Sequence, residues 1–435
     1  MKLIINIILN CCFIVSVFST HDNSSDLGTI VFTNILFRHG DRTPVEPYPN
    51  DPHRNESEWP VPFGQLTTTG MHQHLLLGQW LRSRYRNLIP DHYSVNDIYV
   101  RSTDVDRTLM SAESNLAGLY PPKGNQRFDN MKWMPIPVHT VPEELDSVLA
   151  GKKRCPRYDY EKKLLMESET FKKINRQNSK LYDYLTIHAG NKIDSLRELE
   201  YLYNTLYIET LYNKTLPAWT KSVYPEKMKP LAEFSFKIAA YNKIMQRLKI
   251  GSLIGEMTDH MVSKSRGKLS PDRKIWMYSA HDDTVANLLM GLNLFYPHFP
   301  PYTATILIEL RTNSVNEFFV TISYKNTSGE PSLLTLPGCT PSCPLDDFVR
   351  LTKDVVPTDL ERECLIGSLD NQNILSSNQN GYHNFDNRVN IPMVVGILIS
   401  TIIMITIMIA LILFFYWHYK RNYHQYYLRL STEPL

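Results

Sequence analysis

Three segments of the chain share one hydrophobic pattern, an apolar stretch followed by a loop and then an amphipathic stretch. The apolar stretches are TIVFTNILF (29–37), DIYVRS (97–102) and KIWMYSA (274–280). After each of them, apolar residues recur at helical spacing, over about 69–88, over 105–119 and from about 283 onward. Strands that alternate with helices in this way predict an α/β fold with a mostly parallel sheet that carries helices on both faces.

Each of the three predicted strands ends in ionisable residues. Arg38 and His39 end the first strand, Arg101 lies near the end of the second, and His281 and Asp282 follow the third. In open α/β sheets, ligands bind outside the carboxyl ends of the strands. We therefore expect the three strand ends to meet in one crevice.

The arginines near these strand ends suit an anion. Guanidinium groups bind phosphate through forked, charge-assisted hydrogen bonds. Arg38, Arg42 and Arg101 could surround a phosphate and offset the charge on its oxygens during transfer. The simpler alternative, that Asp41 and Arg42 form an ordinary salt bridge, stays open.

The histidines and the aspartate would supply the remaining chemistry. His39 lies between two arginines, which disfavour its cationic form, and a neutral imidazole is a nucleophile. Asp282 could give a proton to an alkoxide leaving group, and His281 could donate a hydrogen bond to the phosphoryl group. A structural histidine and a metal-binding HDD cluster at 281–283 are the alternatives.

Polarity divides the chain into further segments. The insert between the second and third units is rich in Tyr and Lys and is predicted to be a helical cap. The predicted organisation is a signal peptide (1–20), a catalytic α/β domain (27–144 and 234–365), the cap insert (145–233), a polar stalk (366–390), a transmembrane helix (391–417) and a cytosolic tail (418–435).

Both ends of the chain carry membrane-targeting patterns. Residues 1–20 contain one Lys, then an apolar run and then small residues, as secretory signal peptides do. Residues 391–417 contain no charged side chain and exceed the ~20 residues that span a bilayer. Because Lys420 and Arg421 follow at once, the sequence predicts a type I single-pass membrane protein whose catalytic domain is lumenal or extracellular.

The composition of the chain limits which classes of partner are expected. The chain has 435 residues, of which 43% are hydrophobic and 21% charged, and its formal net charge is +2. That balance gives no argument for a nucleic-acid partner. The 14 histidines would add positive charge below about pH 6.5, which suits an acidic compartment and an anionic substrate.

The cysteines and the N-glycosylation sequons fit a protein that is exported from the cytosol. Two of the six cysteines lie in the predicted signal peptide, and the remaining four predict two disulfides whose pairing the spacing leaves open. These four are Cys155, Cys339, Cys343 and Cys364. N-x-S/T sequons, the predicted glycosylation sites, are found at Asn23, Asn55, Asn213 and Asn326, all on the predicted lumenal side.

Four segments carry a resemblance to a known family. RHGDRTP (38–44), YVRSTDVDRTLMSA (99–112), YSAHDDTV (278–285) and LPGCTPSCPL (336–345) resemble, in this order, motifs of the histidine acid phosphatases. The resemblance implies a phosphoglycerate-mutase-like α/β sandwich with a helical cap. It also implies hydrolysis of phosphate monoesters through a phosphohistidine, with no metal and no cofactor.

The resemblance also implies roles for individual residues. His39 would be the nucleophile and Asp282 the proton donor, while Arg38, Arg42, Arg101 and His281 would hold the phosphate. Asp283 stands where relatives usually have Thr, so the choice of acid between Asp282 and Asp283 stays open. The implied disulfides are Cys339–Cys343 and Cys155–Cys364.

Other functions and the cellular destination also stay open. The alternatives are a phytase or related phosphotransferase on the same scaffold, and a membrane adhesion or receptor protein with a silent site. Expected partners are small phosphate monoesters or phosphopeptides, and the oligomeric state, a homodimer included, is undetermined. The tail segment YLRL has the Tyr-x-x-apolar form that endocytic adaptors bind, at Tyr427 and Leu430. We therefore expect the protein in lysosomes or endosomes, or at the cell surface.

Overall fold

The computed structural model describes residues 27–326 and 328–366, together with helical positions 404, 406, 408–411, 413 and 416–417. The chain divides into two compact units, 1–369 and 370–435. The elements of the first unit are β1 (Thr29–Arg38), α1 (Thr68–Arg84), β2 (Ile98–Ser102), α2 (Asp106–Leu119), α3 (Pro156–Glu167), α4 (Glu169–Ala189), α5 (Leu196–Leu211), α6 (Lys229–Ser235), α7 (Lys243–Lys249), α8 (Gly251–Ser265), β3 (Ile275–Ala280), α9 (Asp282–Gly291), β4 (Thr305–Thr312), β5 (Phe318–Lys325), β6 (Ser332–Leu334), β7 (Cys343–Pro344), α10 (Leu345–Thr352) and α11 (Leu360–Glu363).

The central sheet has the strand order β2-β3-β1-β4-β5-β6, and β7 pairs with β5. Only the pairs β2–β3 and β3–β1 are parallel, while β4 to β7 join the sheet antiparallel. The prediction of a mostly parallel sheet is therefore wrong, and the sheet is mixed. Residues 313–317 join β4 to β5, and a connection this short can only form a hairpin.

Helices cover both faces of the sheet, as predicted. Successive residues of β1 point to opposite faces. Phe32 and Leu36 pack with buried residues of α8 and α9, whereas Ile35 and Phe37 pack with α1 and α2. Burial on both faces explains why β1 is almost continuously apolar.

The three predicted strand ends meet at one edge of the sheet. Arg38 at the end of β1 is in register with Ala280 of β3, and Ser279 of β3 is in register with Ser102 of β2. Because these three strands are parallel, their carboxyl ends lie side by side. The chain segments that follow them therefore open into a common region.

The cap insert forms α3 to α5 and the start of α6, with an apolar core of its own. Tyr182 and Leu185 of α4 pack with Leu199 and Leu206 of α5, and Tyr48 from the loop after β1 joins them. The same loop donates a backbone hydrogen bond, from Asn50 N to Ala189 O at 3.0 Å. These contacts hold α5 beside the edge of the sheet where the three strands end.

Both disulfides implied by the resemblance are present. Cys155 and Cys364 are joined across a sequence separation of 209, and Cys339 and Cys343 close a tight loop before α10. On the chain-entropy account, the first bridge stabilises the fold by up to ~5 kcal/mol, because it closes a long loop. It ties the start of the cap to the end of the catalytic region.

Several sequence predictions fall outside the described residues. They are the signal peptide (1–20), Asn23, most of the stalk (366–390), most of the apolar segment 391–417, and the tail with Tyr427 and Leu430. In the part of the chain that the structure describes, no helix is both long enough and apolar enough to cross a membrane.

Candidate active site

His39 is the first residue after β1 and is firmly held. Its backbone N–H donates to Ala280 O of β3 at 2.9 Å, and its carbonyl accepts from Thr303 N at 3.2 Å. The next residue, Gly40, packs against the first turn of α1, where a Cβ would lie 2.4 Å from Gly70 O. Only glycine permits this close approach, which explains the glycine after the histidine.

Three guanidinium groups surround the His39 imidazole. Arg38, Arg107 and Arg42 all disfavour the protonated form of His39. Arg38 directly precedes His39 in the sequence, and Arg42 follows it by three residues. Arg38 is buried and donates to Asp282 Oδ2 at 2.8 Å and to Pro300 O at 2.5 Å. Its guanidinium lies 4.4 Å from the centre of the Tyr302 ring.

Two of these arginines have neutral groups as their direct partners. Arg42 donates to Thr43 O at 3.0 Å and to Asn204 Oδ1 at 3.2 Å, and Arg107 contacts His281 Nδ1 at 3.3 Å. Neither forms an ion pair with a described residue. The Nε–H groups of both are also buried without a partner among the described residues. Such donors are costly to bury unless an anion binds them, so the site fits a phosphate.

The expected placement of Arg101 in this site is wrong. Arg101 lies on β2 with its side chain on the opposite face from Val100 and Ser102, where it pairs with two carboxylates. Its Nη2 donates to Asp146 Oδ1 at 2.7 Å, and its Nη1 lies 3.5 Å from Glu256 Oε2. Arg101 therefore belongs to a structural ion-pair network.

Arg107 takes the place expected for Arg101. It lies in the first turn of α2, beyond the carboxyl end of β2, and lines the same cleft as His39. Burial and the neighbouring Arg42 lower its pKa to about 10, so it remains cationic. The sequence signal for it was its position after the strand, because side chains within a strand alternate between faces and those in the following loop can turn into the crevice.

The His39 imidazole is neutral and holds one defined tautomer. Burial lowers its pKa well below 6.5, and Arg38, Arg107, Arg42 and His281 lower it further. Its Nδ1 lies 2.8 Å from Gly40 O. A carbonyl oxygen only accepts, so Nδ1 carries the proton and Nε2 keeps its lone pair. This is the state that a nitrogen nucleophile needs.

Asp282 begins α9 and is ionised. Burial alone would raise its pKa, but the charges of Arg38, Arg42 and His281 and the Asp283 N–H hold the pKa below 3.8. Asp283 N donates to Asp282 Oδ1 at 2.9 Å. The structure thus brings Asp282 beside the arginines.

His281 lies between Arg107 and Thr103. Arg107 Nη2 is 3.3 Å from its Nδ1, and Thr103 Oγ1 is 3.0 Å from its Nε2. Burial and Arg107 lower its pKa to about 4. Because both ring nitrogens are engaged, the expected hydrogen bond from His281 to a phosphoryl group is not available in this arrangement. Its contact with Arg107 instead positions that guanidinium.

These groups line one cleft of about 360 Å³. Its lining side chains come from the ends of the strands, from the starts of α2 and α9, and from one face of α5. They include His39, Arg42, Arg107, His281, Asp282 and Asp283, together with Glu46, Lys152, Arg197, Glu200, Tyr201 and Asn204. Sequence reasoning missed the contribution of α5, because nothing in its pattern shows which sheet edge it covers.

The HDD cluster and the sequons are the remaining predicted sites. Among the described residues, no group of three or more His, Cys, Asp or Glu side chains is arranged to hold a metal ion. Asn55 and Asn213 are exposed, and Asn326 is half-buried with its amide donating to Tyr296 Oη at 3.1 Å.

The fold and the site together define an anion-binding α/β protein with a neutral histidine amid arginines at the end of its central strand. Residues 29–325 match the Histidine phosphatase superfamily (branch 2), and the chain belongs to this family.

Two acid phosphatases and one phytase structure are similar to the chain. It is 43% identical over 343 residues to the prostatic acid phosphatase of Bos taurus, covering 77% of this chain and 87% of that one. It is 39% identical over 343 residues to the lysosomal acid phosphatase of Homo sapiens, covering 78% and 80%. The phytase structure from Citrobacter braakii superposes with a TM-score of 0.60 at 18% identity, covering 78% of this chain and 100% of that chain, which shows a common fold.

Proposed function

We propose that this chain is an acid phosphatase that hydrolyses phosphate monoesters through a phosphohistidine on His39. The observation that carries the proposal is a neutral imidazole with a free Nε2 lone pair among three guanidinium groups, two of them without a carboxylate partner. The named relatives, prostatic and lysosomal acid phosphatases, support the same activity.

The reaction would proceed in two displacements. Arg38, Arg42 and Arg107 hold the phosphoryl oxygens and stabilise the charge that they carry in the transition state. His39 Nε2 attacks phosphorus, the P–O bond to the alcohol breaks, and Asp282 gives its proton to the leaving oxygen. In the second step Asp282 takes a proton from water, the resulting hydroxide displaces His39, and inorganic phosphate leaves.

Asp282 must therefore gain a proton when substrate binds. In the free site, Arg38 at 2.8 Å keeps it ionised. A bound phosphate brings negative charge close to the carboxylate and competes for Arg38, and both effects raise the pKa of Asp282. An acidic medium then supplies the proton, whereas His39 stays neutral because its pKa is well below 6.5. We therefore expect the activity to be highest at acid pH.

The activity is tested with the purified lumenal portion at pH 5. We expect rapid release of phosphate from nitrophenyl phosphate, slow release from phytate, and no loss with EDTA. Phytate should be poor because Glu46, Glu200 and Asp283 line the same cleft as the arginines and repel a polyanion. Preference for phytate would favour the phytase alternative, and inactivity on both substrates would favour a silent-site protein.

The choice of acid is tested by Asp282→Asn and Asp283→Asn. For Asp282→Asn, kcat/KM for an alkyl phosphate should fall by about 10²–10⁴-fold, the usual contribution of a general acid. The fall for nitrophenyl phosphate should be far smaller, since nitrophenolate leaves without a proton. Asp283→Asn is the matched control on the next residue, and a larger leaving-group dependence in that variant would make Asp283 the acid.

We also propose that the chain is a type I membrane protein with its active site in the lumen or outside the cell. The apolar segments at 1–20 and 391–417, the four sequons and the two disulfides support this topology. The YLRL segment would direct the protein to endosomes and lysosomes. Surface accumulation of Tyr427→Ala, followed by antibody uptake in cells, is the expected result, and an unchanged distribution would exclude this role for the tail.

A further inference from the structure

Glu200 is a buried acid that the reaction does not use. It lies on α5, is 8% exposed and lines the cleft with His39, Arg107 and Asp282. Asn204, one helical turn further on, is uncharged, and its Oδ1 accepts a hydrogen bond from Arg42 Nη2 at 3.2 Å. The face of α5 that carries Glu200 therefore adjoins the phosphate-binding arginines.

The Glu200 carboxyl group makes no direct polar contact within the described part of the chain. It forms no hydrogen bond and no ion pair with any residue in the described ranges. Acidic groups are rarely buried without a donor or a cation beside them, because the lost hydration is expensive. An unpaired carboxyl facing a substrate cleft is a group that a ligand can satisfy.

Glu200 faces both acidic and basic groups of the cleft, and two of the acidic ones lie at the start of α9. Burial, together with Asp282 and Asp283 at the start of α9, raises the pKa of Glu200 to about 7, against the opposing effects of Arg197 and Arg42. Glu46 is a further acid in the cleft lining. The side of the cleft near Asp282, where the leaving alcohol must lie, is thus acidic.

The basic residues near the mouth are already engaged. Lys152 Nζ contacts both carboxylate oxygens of Glu143, at 2.7 and 2.8 Å. The Arg197 guanidinium lies 4.5 Å from the centre of the Tyr201 ring, and its charge also acts on Glu200, although the two form no ion pair among the described residues. The cleft is therefore cationic where phosphate binds and acidic beside the leaving group, which complements a substrate with a phosphate at one end and a cation at the other.

We propose that Glu200, assisted by Asp283, binds an ammonium group on the leaving alcohol, so that phosphate monoesters of amino alcohols are preferred substrates. The proposal rests on the phosphatase activity proposed above and names the substrate class of that site. The ammonium supplies both the hydrogen-bond donors and the positive charge that the buried carboxyl lacks.

The preference has a defined pH dependence. Glu200 must be ionised to pair with an ammonium, and its pKa is about 7 in the free cleft. Below that pH, binding the ammonium costs the loss of a proton, so the preference should rise up to tenfold per pH unit from pH 5 and level off above about pH 7.

The test is a competition between ethanolamine phosphate and n-propyl phosphate in one reaction. The two differ only by an ammonium in place of a methyl group, and the ratio of released alcohols gives the ratio of their kcat/KM values. For the wild-type protein we expect this ratio to favour ethanolamine phosphate by about 10- to 100-fold at pH 7 and by much less at pH 5.

The variants are Glu200→Gln, which keeps the shape of the side chain, and Glu198→Gln as the matched control. Glu198 lies on the same helix, outside the cleft lining, and contacts the Ser195 hydroxyl. Glu200→Gln should remove the pH-dependent part of the ratio, and Glu198→Gln should keep it. Melting temperatures of both variants check that they are folded.

The outcomes separate this inference from the phosphatase proposal. An identical ratio profile in wild type and Glu200→Gln, or an equal loss for both substrates, would overturn the inference. Failure of the wild-type protein to hydrolyse nitrophenyl phosphate would instead overturn the phosphatase proposal.

Discussion

His39→Ala is expected to lower kcat for nitrophenyl phosphate by about 10⁴-fold or more, the scale seen when a covalent nucleophile is removed. The alanine leaves the three guanidinium groups without a nucleophile. It also removes a buried imidazole that makes one side-chain hydrogen bond, to Gly40 O. The variant should therefore remain folded and still bind inorganic phosphate.

The matched control is His72→Ala, at an exposed position of α1 outside the cleft. It should retain normal turnover and the normal pH profile. If His39→Ala kept a substantial rate while its circular dichroism spectrum and melting temperature were normal, His39 would not be the nucleophile.

The second prediction with a large effect distinguishes the role of Arg107 from that of Arg101, which the sequence alone does not do. Arg107→Met should lower kcat/KM by about 10²–10⁴-fold, because Arg107 is one of three cations around the phosphoryl group. Arg101→Met should change kcat little. It should instead lower the free energy of unfolding by up to ~3–5 kcal/mol, since it leaves the buried Asp146 carboxylate without its cation.

The comparison requires both steady-state kinetics and urea unfolding of each variant. If Arg101→Met lost as much activity as Arg107→Met and lost no stability, Arg101 would be a phosphate-binding residue. The structure predicts a catalytic loss for Arg107→Met and a loss of stability for Arg101→Met.

Sequence reasoning placed His39, Arg38, Arg42 and Asp282 together, because strand-end positions are set by local pattern and parallel strands share an edge. It fails for Arg101, the penultimate residue of β2, because side chains within a strand alternate between faces and that of Arg101 points away from the site. The correct cation, Arg107, lies in the first turn of the following helix.

The mixed sheet and the cap were harder to predict for a different reason. The strands β4 and β5 are apolar like the others, and only their short connection distinguishes a hairpin from a crossover. Similarly, the burial of Glu200 depends on how α5 docks over the sheet edge, and that docking is fixed by contacts distant in sequence, such as those of Tyr48 with the α4–α5 core. Local periodicity carries no information about such contacts.

The central claim, a phosphohistidine on His39, is tested most directly by trapping the phosphoenzyme. The wild-type protein is mixed with ³²P-labelled substrate at pH 5, denatured within milliseconds and digested, and the labelled peptide is sequenced by mass spectrometry. We predict a base-stable, acid-labile phosphate on the peptide that contains RHGDRTP, attached to His39, and no label in His39→Ala. Label on a serine or aspartate, or an equal amount of label in His39→Ala, would contradict the account.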